Sequence, residues 1–116
     1  MFLIDIKTKL EEVDPVVYYG MVDESAKDTA WNYIVFNRVS FSTGANKTGY
    51  SDLFDVHIIR ENFIPEGIDI DVISKMKELA GVRPISGVGE YQYIQKPNTN
   101  IVVEMLTLHF VRARKS

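Results

Sequence analysis

The stretch "YSDLFDVHIIRE", residues 50–61, alternates apolar and polar side chains through its centre. The apolar positions are Phe54, Val56 and Ile58, and the polar residues between them are Asp55 and His57. Successive side chains of a β-strand point to opposite faces, so this spacing predicts a strand with one dry and one wetter face. An antiparallel sheet built around it can carry helices on the dry face and leave the other to solvent or a partner.

Further strands are predicted on both sides of this stretch. In "WNYIVFNRVSF", residues 31–41, both alternating sets are apolar at the centre, which favours burial on two sides. "EYQYIQ" (90–95) and "IVVEMLTLHFVRA" (101–113) form a hairpin through the turn-forming residues 96–100. "VVYYG" (16–20) is a short extended piece, and residues 21–30 and 82–89 are connecting loops.

Two amphipathic helices are predicted, over residues 2–13 and about 69–80. Apolar residues recur at helical spacing in both segments, with charged residues between them. Asp14 precedes a proline and ends the first helix. In the second, Asp69 is the expected N-cap and Gly81 the expected stop.

These elements predict one α+β domain over residues 1–116. Its sheet is antiparallel or mixed, has about four strands, and carries both helices on one face. The order is α-β-β-α-β-β. Hydrophobic residues make up 46% of the chain and charged residues 25%, as in ordinary globular proteins.

Composition excludes several classes of protein. The chain has no cysteine, which excludes disulfides and thiolate metal sites. Its formal net charge of −3 gives no reason to expect a nucleic-acid binder. Charged residues interrupt the apolar N-terminus, and no run approaches the roughly 20 apolar residues of a membrane helix. We therefore expect a soluble protein without a cleavable export signal.

The loop "FSTGANKTGYSD", residues 41–52, superficially suggests a phosphate-binding loop. A Walker loop needs Gly, four residues, Gly, Lys and Ser or Thr between a strand and a helix. Here the spacing differs and a strand follows, so no helix N-terminus is available to receive the anion. We interpret the segment as a long hairpin loop.

A catalytic or metal site would have to use the two histidines. His57 and His109 both lie in predicted strands that antiparallel pairing could bring close, and Asp55 is the obvious nearby carboxylate. Metal binding normally takes three or four ligands, and no serine lies in a recognisable nucleophile motif. We therefore expect no catalytic, cofactor or metal site, while an enzyme using these three residues stays an alternative.

The order of the elements and the amino-acid sequences of the strands resemble those of a known family. The features are the opening "IDIKTKLEEVDPVVYYG", the strands "WNYIVFNRVS" and "YSDLFDVHIIREN", and, after a helix, the hairpin "EYQYIQKPNTNIVVEMLTLHFVRAR". Together they resemble the tail terminator (tail completion, or head–tail joining) proteins of long-tailed bacteriophages. Asn32 stands where that family often has proline.

The resemblance implies a non-enzymatic structural subunit without cofactors. Such a subunit forms a ring with copies of itself, commonly six-fold, that caps the tail tube and docks the head connector protein. DNA passes through the lumen without specific binding. The implied location is the virion tail, assembled in the bacterial cytoplasm. Alternatives are a head-completion or minor tail protein, a counterpart in a phage-derived bacteriocin, or a small dimeric ligand-binding domain.

Candidate interface residues lie in the two long loops and at the basic end of the last strand. They are Asn46, Lys47, Thr48, Tyr50, Arg83, Arg112 and Arg114. A basic end of this kind is either a solvated terminus or a contact for an acidic partner surface.

Two substitutions test this interpretation of the strand and the loop. We expect Phe54→Asp to damage folding or assembly, because it places an unpaired charge on the apolar strand face. Lys47→Ala should leave folding unchanged, because the loop is expected to be solvent-exposed. Circular dichroism and thermal unfolding measure both effects, and a Lys47→Ala protein that fails to fold would contradict the interpretation of the loop.

Overall fold

Two helices cover one face of a six-stranded mixed sheet in the computed structural model of the chain. The structure describes residues 2–22, 30–43, 49–85 and 89–115, with the side chains of residues 43, 49, 114 and 115 outside the description. In chain order the elements are α1 (Phe2–Glu11), β1 (Val17–Tyr19), β2 (Tyr33–Thr43), β3 (Gly49–Glu61), α2 (Ile68–Lys77), β4 (Val82–Pro84), β5 (Glu90–Gln95) and β6 (Val102–Lys115).

The sheet has the strand order β1-β2-β3-β6-β4, and β5 also pairs with β6. Strand β1 runs parallel to β2, and every other described pair is antiparallel. Since β3 occupies one edge of β6 along nearly its whole length, β4 and β5 share the other edge.

The predicted α+β class is confirmed, while the predicted number and order of strands differ from the structure. The described chain has the order α-β-β-β-α-β-β-β, because β1 and β4 add to the four predicted strands. Strand β4 lies in the segment 82–89 that the sequence predicts to be a connecting loop. A three-residue strand is too short to show alternation, and it forms because β6 extends beyond β5.

The alternation that predicts β3 is confirmed. Phe54, Val56 and Ile58 are at most 1% exposed and point toward the helices. Val56 lies between Phe36 of β2 and Leu108 of β6 in the strand register. The three central strands therefore present one continuous apolar surface.

Aromatic stacking connects this surface to the helices. The rings of Phe54 and Phe110 stack with centroids 5.4 Å apart, and the Phe2 ring of α1 meets Phe54 edge-on at 5.7 Å. Ile6 and Leu10 of α1, and Val72 and Met76 of α2, are fully buried in the same core. Both helices thus pack on one face, as predicted.

Helix α2 begins and ends differently from the prediction. Gly67, with φ 99°, is the N-cap, whereas Asp69 lies inside the first turn, where its charge complements the helix dipole. The helix ends at Lys77 rather than near residue 80. Gly81 has φ +78°, and a Cβ there would lie 2.5 Å from the Ala113 carbonyl oxygen, so β4 requires glycine at this position.

The described residues contain no helix that could span a lipid bilayer.

The opposite face of the sheet, called here the open face, carries a small second cluster at one end. Tyr33, Val35, Ile59 and Val103 are its buried members. Since Ile34 and Phe36 are buried against the helices, the centre of β2 is covered on both sides, as the sequence predicts. This apolar cover ends at Val35, and polar residues follow it.

A buried ion pair fastens the segment after α1 to the sheet. Asp14 is 5% exposed, and its Oδ2 accepts a hydrogen bond of 2.5 Å from the Arg60 guanidinium of β3. Arg60 also donates to the carbonyl oxygens of Tyr33 and Ile59, and Asp14 Oδ1 accepts from the Val16 N–H. The pair therefore joins α1, β1, β2 and β3 at one point.

Removing one member of this ion pair should lower the stability of the fold. We expect Asp14→Ala to lower the free energy of unfolding by about 3 kcal/mol, because Arg60 keeps a largely buried charge without its counter-ion. Glu12→Gln is the matched control, since Glu12 pairs with Lys75 at the exposed surface, where loss of a charge has little effect. Urea denaturation measures both, and equal effects would contradict the prediction.

Candidate functional site

The centre of the open face carries a row of polar side chains across three strands. Asn37, Asp55 and His109 lie directly opposite one another on β2, β3 and β6. His109 Nδ1 lies 2.6 Å from Asp55 Oδ1, and its Nε2 contacts Glu90 Oε1 of β5. Both ring nitrogens can donate to these carboxylates only when the ring is protonated, so the geometry stabilises the imidazolium form. The hydrogen bonds to Glu90 and Asp55 raise the pKa of His109.

His57 lies on the same face of β3 in a different environment. Its Nδ1 lies 2.8 Å from Thr107 Oγ1, and its Nε2 lies 2.7 Å from Asn37 Oδ1. A neutral ring satisfies both contacts, with Nε2–H donating to the amide oxygen and Nδ1 accepting from the hydroxyl. Burial lowers the pKa of His57, the neighbouring Asp55 acts in the opposite direction, and His109 lowers it further.

The structure brings together the three residues that the sequence singles out for chemistry. His57 is opposite Thr107, two residues along β6 from His109, and Asp55 contacts His109 directly. Yet every ring nitrogen of the two histidines already has a protein partner. Within the ranges that the structure describes, no group of three histidine or carboxylate side chains is placed to hold a metal ion. The arrangement connects four strands through hydrogen bonds.

Strand β5 forms an unusual edge of the sheet. All six of its residues are exposed, including Tyr91 at 53%, Tyr93 at 62% and Ile94 at 52%. Across the described ranges β5 pairs with β6 alone, so its outer edge is unpaired there. Tyr91 pairs with Leu106 and therefore shares the helix face, whereas Ile94 pairs with Val103 on the open face. The strand thus offers apolar area on both faces.

A groove lies beyond the N-terminal end of α1, where the strands extend past the helices. We call it the arginine groove, and its volume is about 340 Å³. It is lined by Phe2, Leu3, Arg38, Val39, Ser40, Phe41, Asp52 and Arg112. The β2–β3 register shifts between Arg38 and Ser40, which leaves Val39 without a partner in β3. Val39 and Phe41 are 54% and 66% exposed, so the groove has apolar walls and two guanidinium groups.

Only part of the predicted interface set can be placed. Asn46, Lys47 and Thr48 lie outside the described residues. The Arg114 backbone pairs with Tyr50, but its side chain is not described.

The remaining two predicted arginines face opposite sides of the sheet. Arg112 lies in the arginine groove, with its guanidinium 3.9 Å from the centre of the Phe2 ring. Arg83 pairs with Val111 and is exposed, whereas the preceding Val82 pairs with Arg112 and is buried against the helices. Sequence reasoning missed Arg38, which follows Phe36 by two residues and so shares the helix face of the sheet with Arg112.

No protein-family model matches this chain, and no curated protein matches it. Its function is therefore inferred from the surfaces described above and from the resemblance in its strands.

The His109 contacts predict a pH dependence of stability. Because its folded pKa lies above the unfolded value of about 6.5, protonated His109 stabilises the fold fully below that pH. The contribution is lost as the pH rises through the folded pKa. We expect the difference in unfolding free energy between wild type and His109→Gln to be largest near pH 6 and to shrink above it. His57 is present in both proteins, so only the part of its pKa shift that His109 causes, the smallest of three contributions, differs between them. Urea denaturation across this range measures the difference, and a constant difference would contradict the assignment.

Proposed function

We propose that this protein is a non-enzymatic structural subunit of a bacteriophage or prophage tail. Copies assemble into a ring that caps the tail tube and joins it to the head connector. The proposal combines the resemblance of the strands with one observation, the exposed edge strand β5.

Exposed edge strands are usually protected against pairing with other chains by charges, proline or a covering element. Residues 91–95, "YQYIQ", contain neither a charge nor a proline, and all of them are exposed. Aromatic residues are enriched in protein interfaces, and lysine and glutamate are depleted there. These properties support a β5 surface that another protein subunit covers.

A ring subunit needs an interface that can be repeated until the ring closes. An exposed strand at one side of an elongated subunit suits this requirement. A lumen that passes DNA should not bind it tightly, and the net charge of −3 agrees with weak binding. The tail tube and the head connector are the proposed neighbours along the ring axis.

The mass of the protein in solution tests the proposal. We expect a stable ring-sized species, about six times the monomer mass, in analytical ultracentrifugation and native mass spectrometry. A protein that stays monomeric at high concentration would contradict it. A strict dimer would instead favour the small ligand-binding domain.

Substitution in β5 should disrupt this species. We expect Ile94→Lys to convert most of the ring to monomer, because it introduces a charge where apolar area is buried on assembly. Ser74→Lys adds the same charge at an exposed position of α2 and is the matched control. Since Ile94 is 52% exposed in the single chain, the variant should fold like wild type by circular dichroism. Equal assembly of both variants would exclude β5 from the interface.

A further inference from the structure

The two guanidinium groups of the arginine groove lack acidic partners within the described ranges. Arg38 donates from Nε to the Tyr19 hydroxyl at 3.0 Å, and Arg112 lies over the Phe2 ring. Neither has a carboxylate within ion-pair distance among the described residues. Asp52 also lines the groove, opposite Arg112 in the strand register, so the lining carries one excess positive charge. The groove therefore suits an apolar surface that carries carboxylates.

A second groove of about 630 Å³ has the opposite character. We call it the acidic groove, and it lies between the start of α2 and strand β5. It is lined by Ile64, Pro65, Glu66, Gly67, Asp69, Ile70 and Tyr91. Ile70 is 63% exposed, and the carboxylates of Glu66 and Asp69 have no ion-pair partner within the described ranges. This groove combines two negative charges with exposed apolar side chains.

The two grooves lie at different places along the strands. Tyr91 of the acidic groove pairs with Leu106 of β6, whereas Arg112 of the arginine groove lies six residues further along the same strand. At 3.3 Å per residue this separation is roughly 20 Å. Because the two surfaces differ and are separated, a contact between them joins two copies head to tail.

We propose that the arginine groove of one copy binds the acidic groove of the next copy. This inference rests on the proposed ring function and identifies the two surfaces that meet. Arg38 and Arg112 face Glu66 and Asp69 of the neighbour, while Val39 and Phe41 pack against Ile70 and Tyr91. The acidic groove includes part of β5, so the contact is continuous with the β5 surface proposed above.

Charge complementarity is the reason to expect a second copy of this chain as the binding partner of each groove. The chain carries a positive apolar groove and a negative apolar groove, and each supplies what the other lacks. A head-to-tail contact uses both grooves on every copy of a closed ring. Like charges placed opposite each other would instead repel, so the charges determine which surfaces meet.

Charge exchange tests this pairing directly. One variant carries Arg38→Glu and Arg112→Glu, and the other carries Glu66→Arg and Asp69→Arg. Each variant alone places like charges at every contact, so we expect the apparent dissociation constant of the assembly to rise about 100-fold. In an equal mixture, alternating copies restore opposite charges at every contact, and the ring-sized species should return. Native mass spectrometry should then show both variants in equal numbers.

Lys7→Glu with Lys77→Glu is the matched control, because it reverses two exposed charges on the helices outside both grooves. Its assembly should match wild type. If both exchanged variants assemble normally, or if their mixture fails to assemble, the inference is wrong while the ring function stands. If wild type itself forms no ring at high concentration, the ring function and the inference both fail. Recovery in the mixture also shows that each variant is folded.

Discussion

The register of β3 between β2 and β6 determines most of this structure. It aligns Phe36, Val56 and Leu108 across three strands, so the helices meet one apolar surface. The same register places Asn37, Asp55 and His109 in the next row, on the opposite face. A slip of one residue would exchange the two faces and expose the aromatic core to water. Core and polar cluster are therefore two consequences of one alignment.

The lengths of the elements explain why grooves remain at the surface. A helix of 10 residues is about 15 Å long, whereas the 14 residues of β6 extend about 45 Å. Two such helices cannot cover the sheet from end to end. The uncovered ends of β2, β3 and β6 form the arginine groove, and the start of α2 with β5 forms the acidic groove. Several exposed apolar side chains lie in these two grooves, among them Val39, Phe41, Ile70 and Tyr91.

Strong periodicity made the central strands and both helices predictable, and β3 is the clearest example. The sequence predicts extended backbone at residues 16–20, where β1 lies, but not its pairing with β2. It predicts a loop where β4 forms, because that pairing depends on how far β6 extends. The N-cap was predicted at Asp69, while Gly67 takes that position because the chain turns there with positive φ. Arg112 was predicted as an interface residue, whereas Arg38, which shares its face of the sheet and lines the same groove, was not.

Self-assembly of an acidic chain needs local attraction, because copies with a net charge of −3 repel one another at long range. Screening at physiological salt limits that repulsion to about 8 Å, so charges in direct contact decide the outcome. The arginine and acidic grooves provide such contacts, together with apolar area whose burial contributes most of the free energy. A head-to-tail contact closes into a ring only when its rotation divides a full turn, and otherwise it grows into a filament. The proposed function therefore constrains the angle between the grooves as well as their charge.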